Sequence, residues 1–98
     1  MQFEWDESKS EENNRTRGIS FGYAALIFGG PIVEREDLRF PYGERRIIAT
    51  GMVEGYHLTV VFTDRATDEA VVRRIISARK SNRTERKHHD QAYPTDTK

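Results

Sequence analysis

The chain contains no cysteine. That excludes disulfides, thiol nucleophiles and thiolate-bound metals. No apolar run approaches the roughly 18–20 residues that a membrane span requires. The opening MQFEWDESK is acidic and polar, and lacks the basic-then-apolar order of a secretory signal. A cytoplasmic protein with no membrane contact is the expectation. Histidine is scarce, with only His57, His88 and His89 present. Neighbouring side chains on a helix point in different directions, so His88 and His89 make a poor ligand pair, and neither a metal site nor a cofactor is expected. With 98 residues the chain makes one domain, expected over residues 1–93 with a polar tail at 94–98. Such a domain buries roughly 65% of its unfolded surface, which leaves no room for a large internal cofactor pocket.

Neither sign of charge is in excess: 16 Lys and Arg face 16 Asp and Glu. The balance hides an asymmetry. Residues 1–12 carry Glu4, Asp6, Glu7, Glu11 and Glu12 against Lys9 alone, whereas residues 71–90 carry Arg73, Arg74, Arg79, Lys80, Arg83, Arg86 and Lys87 against Glu85 and Asp90. Either a basic face meets an anion there, or the charges are scattered over a solvated helix.

Phe3 to Trp5 reads as an edge strand. Asp6 or Ser8 can cap a first helix, Ser8 with Glu11 matching the capping box, and Gly18 is a natural stop. That helix has almost no apolar stripe. Ser20 caps a second helix over 21–30, with Phe21, Ala24, Ala25 and Phe28 on one face. The period then changes. Residues 32–37, 45–53, 56–64 and 71–79 read as strands, joined by a loop at 38–44, a tight turn at Glu54-Gly55 and a turn at 65–70. Short connections favour antiparallel neighbours. A last helix begins near Asn82. The class is α+β: two N-terminal helices, an antiparallel meander of three to four strands, and a C-terminal helix.

The segments FEWDESK, RGISF (17–21), FGGP (28–31), YGERR (42–46), VVFT (60–63) and RIISARK (74–80) follow one another as in BrnT-type toxins of type II toxin–antitoxin pairs, which the chain resembles over about residues 2–87. The resemblance implies a RelE-like fold and a ribonuclease that blocks translation. It implies neutralisation by a BrnA-like antitoxin of the ribbon-helix-helix class, through which alone the complex contacts DNA. Two positions depart from the family pattern. Arg17 stands where the family has histidine, and FGGP replaces a more acidic loop.

Alternation along the strands sorts the candidate site residues. Val72, Arg74, Ile76 and Ala78 are expected on the covered face together with Leu58, Val60 and Phe62. His57, Thr63, Ser77 and Arg79 are then expected to share an open concave face. Metal-free RNA cleavage needs a base, an acid, and cations for the charge that builds on the phosphate, and arginine's planar fork suits the last task. The expected catalytic set is Arg79, Arg46, His57 and Tyr42. Lys80, Arg83, Arg45 and Arg74 are expected to hold the RNA backbone, on the ribosome or off it. Each has a plainer alternative: Arg79 as the ion-pair partner of a carboxylate such as Glu44, Arg46 as an edge-strand charge, Tyr42 as a packed turn residue. Phe3 and Trp5 read as core or antitoxin contacts, and His88 and His89 as tail surface. A second class of function also fits the sequence: a non-catalytic module that acts only by binding its antitoxin.

Overall fold

A helix starts where a short polar side chain satisfies the unpaired N–H groups of its first turn. In the computed structural model of the chain, which describes residues 1–94, Asp6 does this for α1 (Glu7–Arg17), accepting from the Lys9 N–H at 3.2 Å. Ser8 lies inside the helix. Gly18, at φ 74°, ends it in the left-handed conformation that glycine tolerates best. With no apolar stripe, α1 is fastened by polar side chains. Buried Ser10 accepts from the Phe21 N–H at 2.9 Å, and Asn13 donates to the Ile19 and Ala78 carbonyls at 2.7 and 3.0 Å.

Ser20 caps α2 (Phe21–Ala24), as the sequence suggests, but the expected continuous helix tightens into a 3-10 turn over Ala25–Gly29. Tightening to three residues per turn stacks Ile27 below Ala24. Both are fully buried, while Leu26 is turned outward and Phe28 is only half-buried.

The five strands are β1 (Gln2–Glu4), β2 (Val33–Glu36), β3 (Ile47–Val53), β4 (Tyr56–Ala66) and β5 (Val71–Lys80), in the order β1-β5-β4-β3-β2. β2 to β5 form the antiparallel meander that short loops dictate, with Glu54 and Gly55 both at positive φ in the β3–β4 turn. The sheet as a whole is mixed, because β1 runs parallel to β5 at one edge. The expectation of a purely antiparallel sheet of three to four strands therefore falls short. β1 and β5 are joined by most of the domain, so no short turn sets their relative direction.

One face of the sheet carries the core. Ala49, Val53, Leu58, Val60, Phe62, Ile75 and Ala78 pack against Ile19, Phe21, Ala24 and Ile27. At Gly51 the 3-10 turn comes so close that a Cβ would lie 2.7 Å from Ile27 Cβ. Phe3 stacks on Phe28, and Trp5 lies over Gly22, both at the margin of this core.

A β-bulge changes the phase of β5. Val61 pairs with Ser77 but Phe62 pairs with Ile75, so Ile76 is the extra residue. Ahead of the bulge the core-facing residues are Arg73 and Ile75; after it, Ala78 and Lys80. Arg73 lies over the Phe28 and Phe62 rings and donates to both Asp64 oxygens at 2.8 and 2.9 Å. The grouping of Val72, Arg74 and Ile76 with Ala78 on the covered face is thus corrected, since Val72 pairs with Arg65 and Arg74 with Thr63. Arg74 joins Ser77 and Arg79 on the second face.

That second face is not fully open. α3 (Arg83–Ala92), opened by a capping box between Asn82 and Glu85, packs against β2 and β3. It buries Ser81, Glu85 and His89 beside Thr50 and Thr59. His89 is therefore an interior residue and not tail surface; His88 is exposed as expected. Of the expected tail, residues 95–98 lie outside the described residues.

Candidate functional site

On the second face of the sheet, β4 serves as a ruler. Arg79 pairs with Thr59 and Arg74 with Thr63, while Arg46, one step before Ile47–Phe62, stands across from Thr63 on the β3 side. Arg46 and Arg74 therefore share one end of the face. Arg79 lies four residues away along β4, roughly 13 Å. His57, the second residue of β4, lies at the far end, six residues from Thr63, roughly 20 Å.

At the Thr63 end, cations and carboxylates alternate across the sheet. Arg46 Nε donates to Glu44 at 3.0 Å. Arg65 stands 3.9 Å from Glu44 and 3.8 Å from Glu4, and Arg74 stands 3.7 Å from Glu4. Three guanidinium groups thus share two carboxylates. The contacts of Arg65 and Arg74 are longer than a hydrogen bond, so their donors remain available to another acceptor. Strand register explains the assembly. Arg65 and Thr63 alternate to the same face of β4, Arg74 lies opposite Thr63, and Glu4 lies beside Arg74 on parallel β1.

The loop between β2 and β3 supplies the wall. Buried Asp37 accepts from Arg39 Nε and Nη2, both at 2.8 Å, and from the Tyr42 hydroxyl at 3.0 Å. The Arg39 hydrogen bonds hold its carboxyl well below the usual range despite burial. Held in this way, the Tyr42 ring carries the Arg46 guanidinium 4.0 Å from its centroid. Tyr42 and Arg46, two members of the expected catalytic set, are therefore in contact, with the Tyr42 ring acting as a platform.

The other expected residues lie elsewhere. Arg79 donates from Nη1 and Nη2 to Glu85 at 2.6 and 2.8 Å, and Arg35 adds a donor to the same carboxylate at 3.1 Å. The Thr59 hydroxyl and the Asn82 N–H complete the cage around Glu85. Burial pushes the Glu85 carboxyl up, but the Arg79 and Asn82 hydrogen bonds, the Arg79 charge and Thr59 outweigh it and pull the group down to about 2. Glu85, and not Glu44, is the carboxylate that Arg79 finds. His57 Nε2 lies 2.8 Å from Asp90 on α3. These two residues are therefore held against α3, and the expected grouping of His57, Thr63, Ser77 and Arg79 on one uncovered surface is corrected.

Lys80 projects to the core-side face. There it lines a cavity of about 520 Å³ with Asn14, Arg17, Tyr23 and Tyr56. Arg17 donates to the Ala78 carbonyl at 3.1 Å on that side. Arg45 turns outward to Glu36 at 3.2 Å. Arg83 is exposed in the first turn of α3 and forms no ion pair among the described residues.

Glu4 and Arg65 were not singled out by the sequence, and Glu44 was considered only as a partner for Arg79. Glu44 sits two residues from Arg46 in YGERR and could have been found by that spacing. Glu4 and Arg65 could not, because only the parallel pairing of β1 brings them in.

A small α+β domain with three arginines gathered at one end of a sheet face presents a surface that suits an anion. More particularly, the family model of the ribonuclease toxin, BrnT, of type II toxin–antitoxin systems matches residues 5–85, and the chain belongs to that family. Membership implies an RNA substrate and an antitoxin partner. No helix among the described residues is long and apolar enough to cross a membrane. Comparison with curated proteins gives no match.

Proposed function

We propose that the protein is a metal-independent endoribonuclease that cuts RNA at the Thr63 end of the second sheet face and thereby inhibits translation. The observation that carries this reading is the sharing of two carboxylates, Glu4 and Glu44, among Arg46, Arg65 and Arg74. A phosphodiester that enters between Arg65 and Arg74 meets donors left over from their long carboxylate contacts. Glu44 takes the proton of the ribose 2′-hydroxyl. The 2′-oxygen bonds to phosphorus, the bond to the 5′-oxygen breaks, and that oxygen takes a proton from water. The products are a cyclic 2′,3′-phosphate and a 5′-hydroxyl end. Arg46, Arg65 and Arg74 neutralise the extra charge of the transition state, and Tyr42 keeps Arg46 in place. Arg45 and Arg83 extend the basic surface along the RNA backbone. Arg79, His57 and Lys80 lie outside this set.

We read residues 1–93 as a single RelE-like domain, a reading supported by the five-stranded sheet with helices packed on it. The same basic face suits an acidic segment of a BrnA-like, ribbon-helix-helix antitoxin, which would neutralise the toxin and supply the DNA contacts in the cytoplasm. The test is cleavage of a message by the purified chain, alone and with ribosomes, in the presence of a chelator. Primer extension should show discrete cuts that Arg74→Ala and Glu44→Gln abolish. The binding-only reading draws on the fact that every guanidinium of the cluster already has a carboxylate within 4 Å. It gains if the chain binds its antitoxin but cuts no RNA under either condition.

A further inference from the structure

The cluster formed by His57, His89 and Asp90 has no part in the ribonuclease reading. His57 lies near the start of β4, whereas His89 and Asp90 lie on α3, so His57 and His89 stand 32 positions apart in the chain. Their ligand atoms nevertheless all fall within 4.8 Å of one another. The cluster sits at the end of the sheet farthest from Thr63.

His89 shows how the site is set. It is 4% exposed. Its Nε2 lies 3.0 Å from the Pro31 carbonyl oxygen, which can only accept, so Nε2 carries the proton and donates. In the neutral ring the lone pair is then on Nδ1. That atom is buried and has no hydrogen-bond partner among the described residues. It faces Asp90 Oδ1 at 4.0 Å, and the His57 ring stands edge-on, with centroids 5.4 Å apart. A backbone carbonyl that fixes one ring nitrogen and leaves the other bare is the arrangement that supports metal-binding histidines. A buried acceptor without a donor is otherwise a cost.

We propose that His57 Nε2, His89 Nδ1 and Asp90 Oδ1 form a binding site for a divalent transition cation of the zinc class, which clasps α3 to the sheet. Two imidazoles and one carboxylate suit zinc, with water in the fourth position. Bonds of about 2.0–2.1 Å in a tetrahedron place ligand atoms about 3.3 Å apart. Asp90 Oδ1 must therefore move away from His57 Nε2, now at 2.8 Å, and toward His89 Nδ1, now at 4.0 Å. Asp90 is 61% exposed, so its side chain is free to make that shift and the open position faces solvent. The cation would bridge β4 and α3, and α3 is the helix whose Glu85 occupies Arg79.

The test uses the tag-free full-length chain, stripped with a chelator and titrated with Zn²⁺ and separately with Co²⁺. We expect one equivalent of Zn²⁺ to bind, the melting temperature to rise with metal concentration, and Co²⁺ to give the intense visible absorption of four-coordination. Asp90→Ala and His57→Ala should each weaken binding by more than about tenfold, since even an outer partner of a metal site is worth about 10- to 100-fold. His88→Ala should leave it unchanged. Asp90 is exposed, so its variant tests the site even if a change at buried His89 prevents folding. The proposal is overturned if the folded chain binds no Zn²⁺ at concentrations on the order of 100-fold above those typical of protein sites. It is equally overturned if His88→Ala removes binding while Asp90→Ala does not. Neither failure touches the ribonuclease reading, which requires no metal.

Discussion

Arg79 and Glu85 face each other through two hydrogen bonds, at 2.6 and 2.8 Å, and thereby tie the end of β5 to the first turn of α3. Glu85 is 5% exposed, so its charge depends on this pairing and on Arg35. Removing one partner of such a pair strands the other. Glu85→Gln should cost about 2 kcal/mol in urea unfolding, less than a deeply buried pair because Arg79 is one-third exposed. A drop in melting temperature on the order of 10 °C would accompany it. An unchanged urea midpoint would show that the clasp contributes nothing.

The same carboxylate sets a pH dependence. Its folded pKa, about 2, lies below the ordinary 4.5. The stabilisation is therefore complete above about pH 4.5 and is lost as pH falls from there toward 2. Urea midpoints of the wild type and Glu85→Gln should differ at neutral pH and converge between pH 4.5 and 2. Parallel curves through that window would assign the acid sensitivity to another group.

Within the arginine cluster, Arg74→Ala should lower the cleavage rate by about 10²- to 10³-fold, the scale of losing one placed donor, with the urea midpoint nearly unchanged. Its ion pair is long and partly exposed, so little stability depends on it. Arg79→Ala should show the reverse weighting, with a clear loss of stability. Should Arg79→Ala fold as well as the wild type and yet abolish cleavage, the reacting phosphate belongs at the α3 end.

Gly51→Ala should destabilise the fold by about 1–3 kcal/mol, because the new methyl would meet Ile27 Cβ at 2.7 Å and Ile32 Cγ2 at 3.1 Å. Chemical denaturation measures this directly. Pairing it with Ile27→Val should recover none of the loss, because valine keeps the Cβ that the new methyl meets.

Local chemistry made much of the fold legible. Ser20, Gly18 and Asn82 mark helix ends because capping depends on a few adjacent atoms. Glu54-Gly55 marks a turn for the same reason. The strands β2 to β5 are readable from β-branched runs between such signals. The bulge at Ile76 is not, because it depends on which residue of β4 stands opposite, and one slipped residue reversed the faces of Arg74 and Ile75. Tyr42 and Arg46 could be paired by eye, four residues apart in one loop. Glu4 and Arg65 could not.

By itself, the amino-acid sequence determined the family, the helix starts at Ser20 and Asn82, the turn at Glu54-Gly55 and the excess of arginine near the end of the chain, since these follow from residue type and short-range order. Only the tertiary structure decided which arginines remain available. β1 enters in parallel beside β5 and brings Glu4 to Arg65 and Arg74, while α3 folds back over the other end and fills Arg79 with Glu85. Both outcomes are pairings between segments far apart in the chain, and a guanidinium group takes its partner from whatever the packed backbone sets within reach.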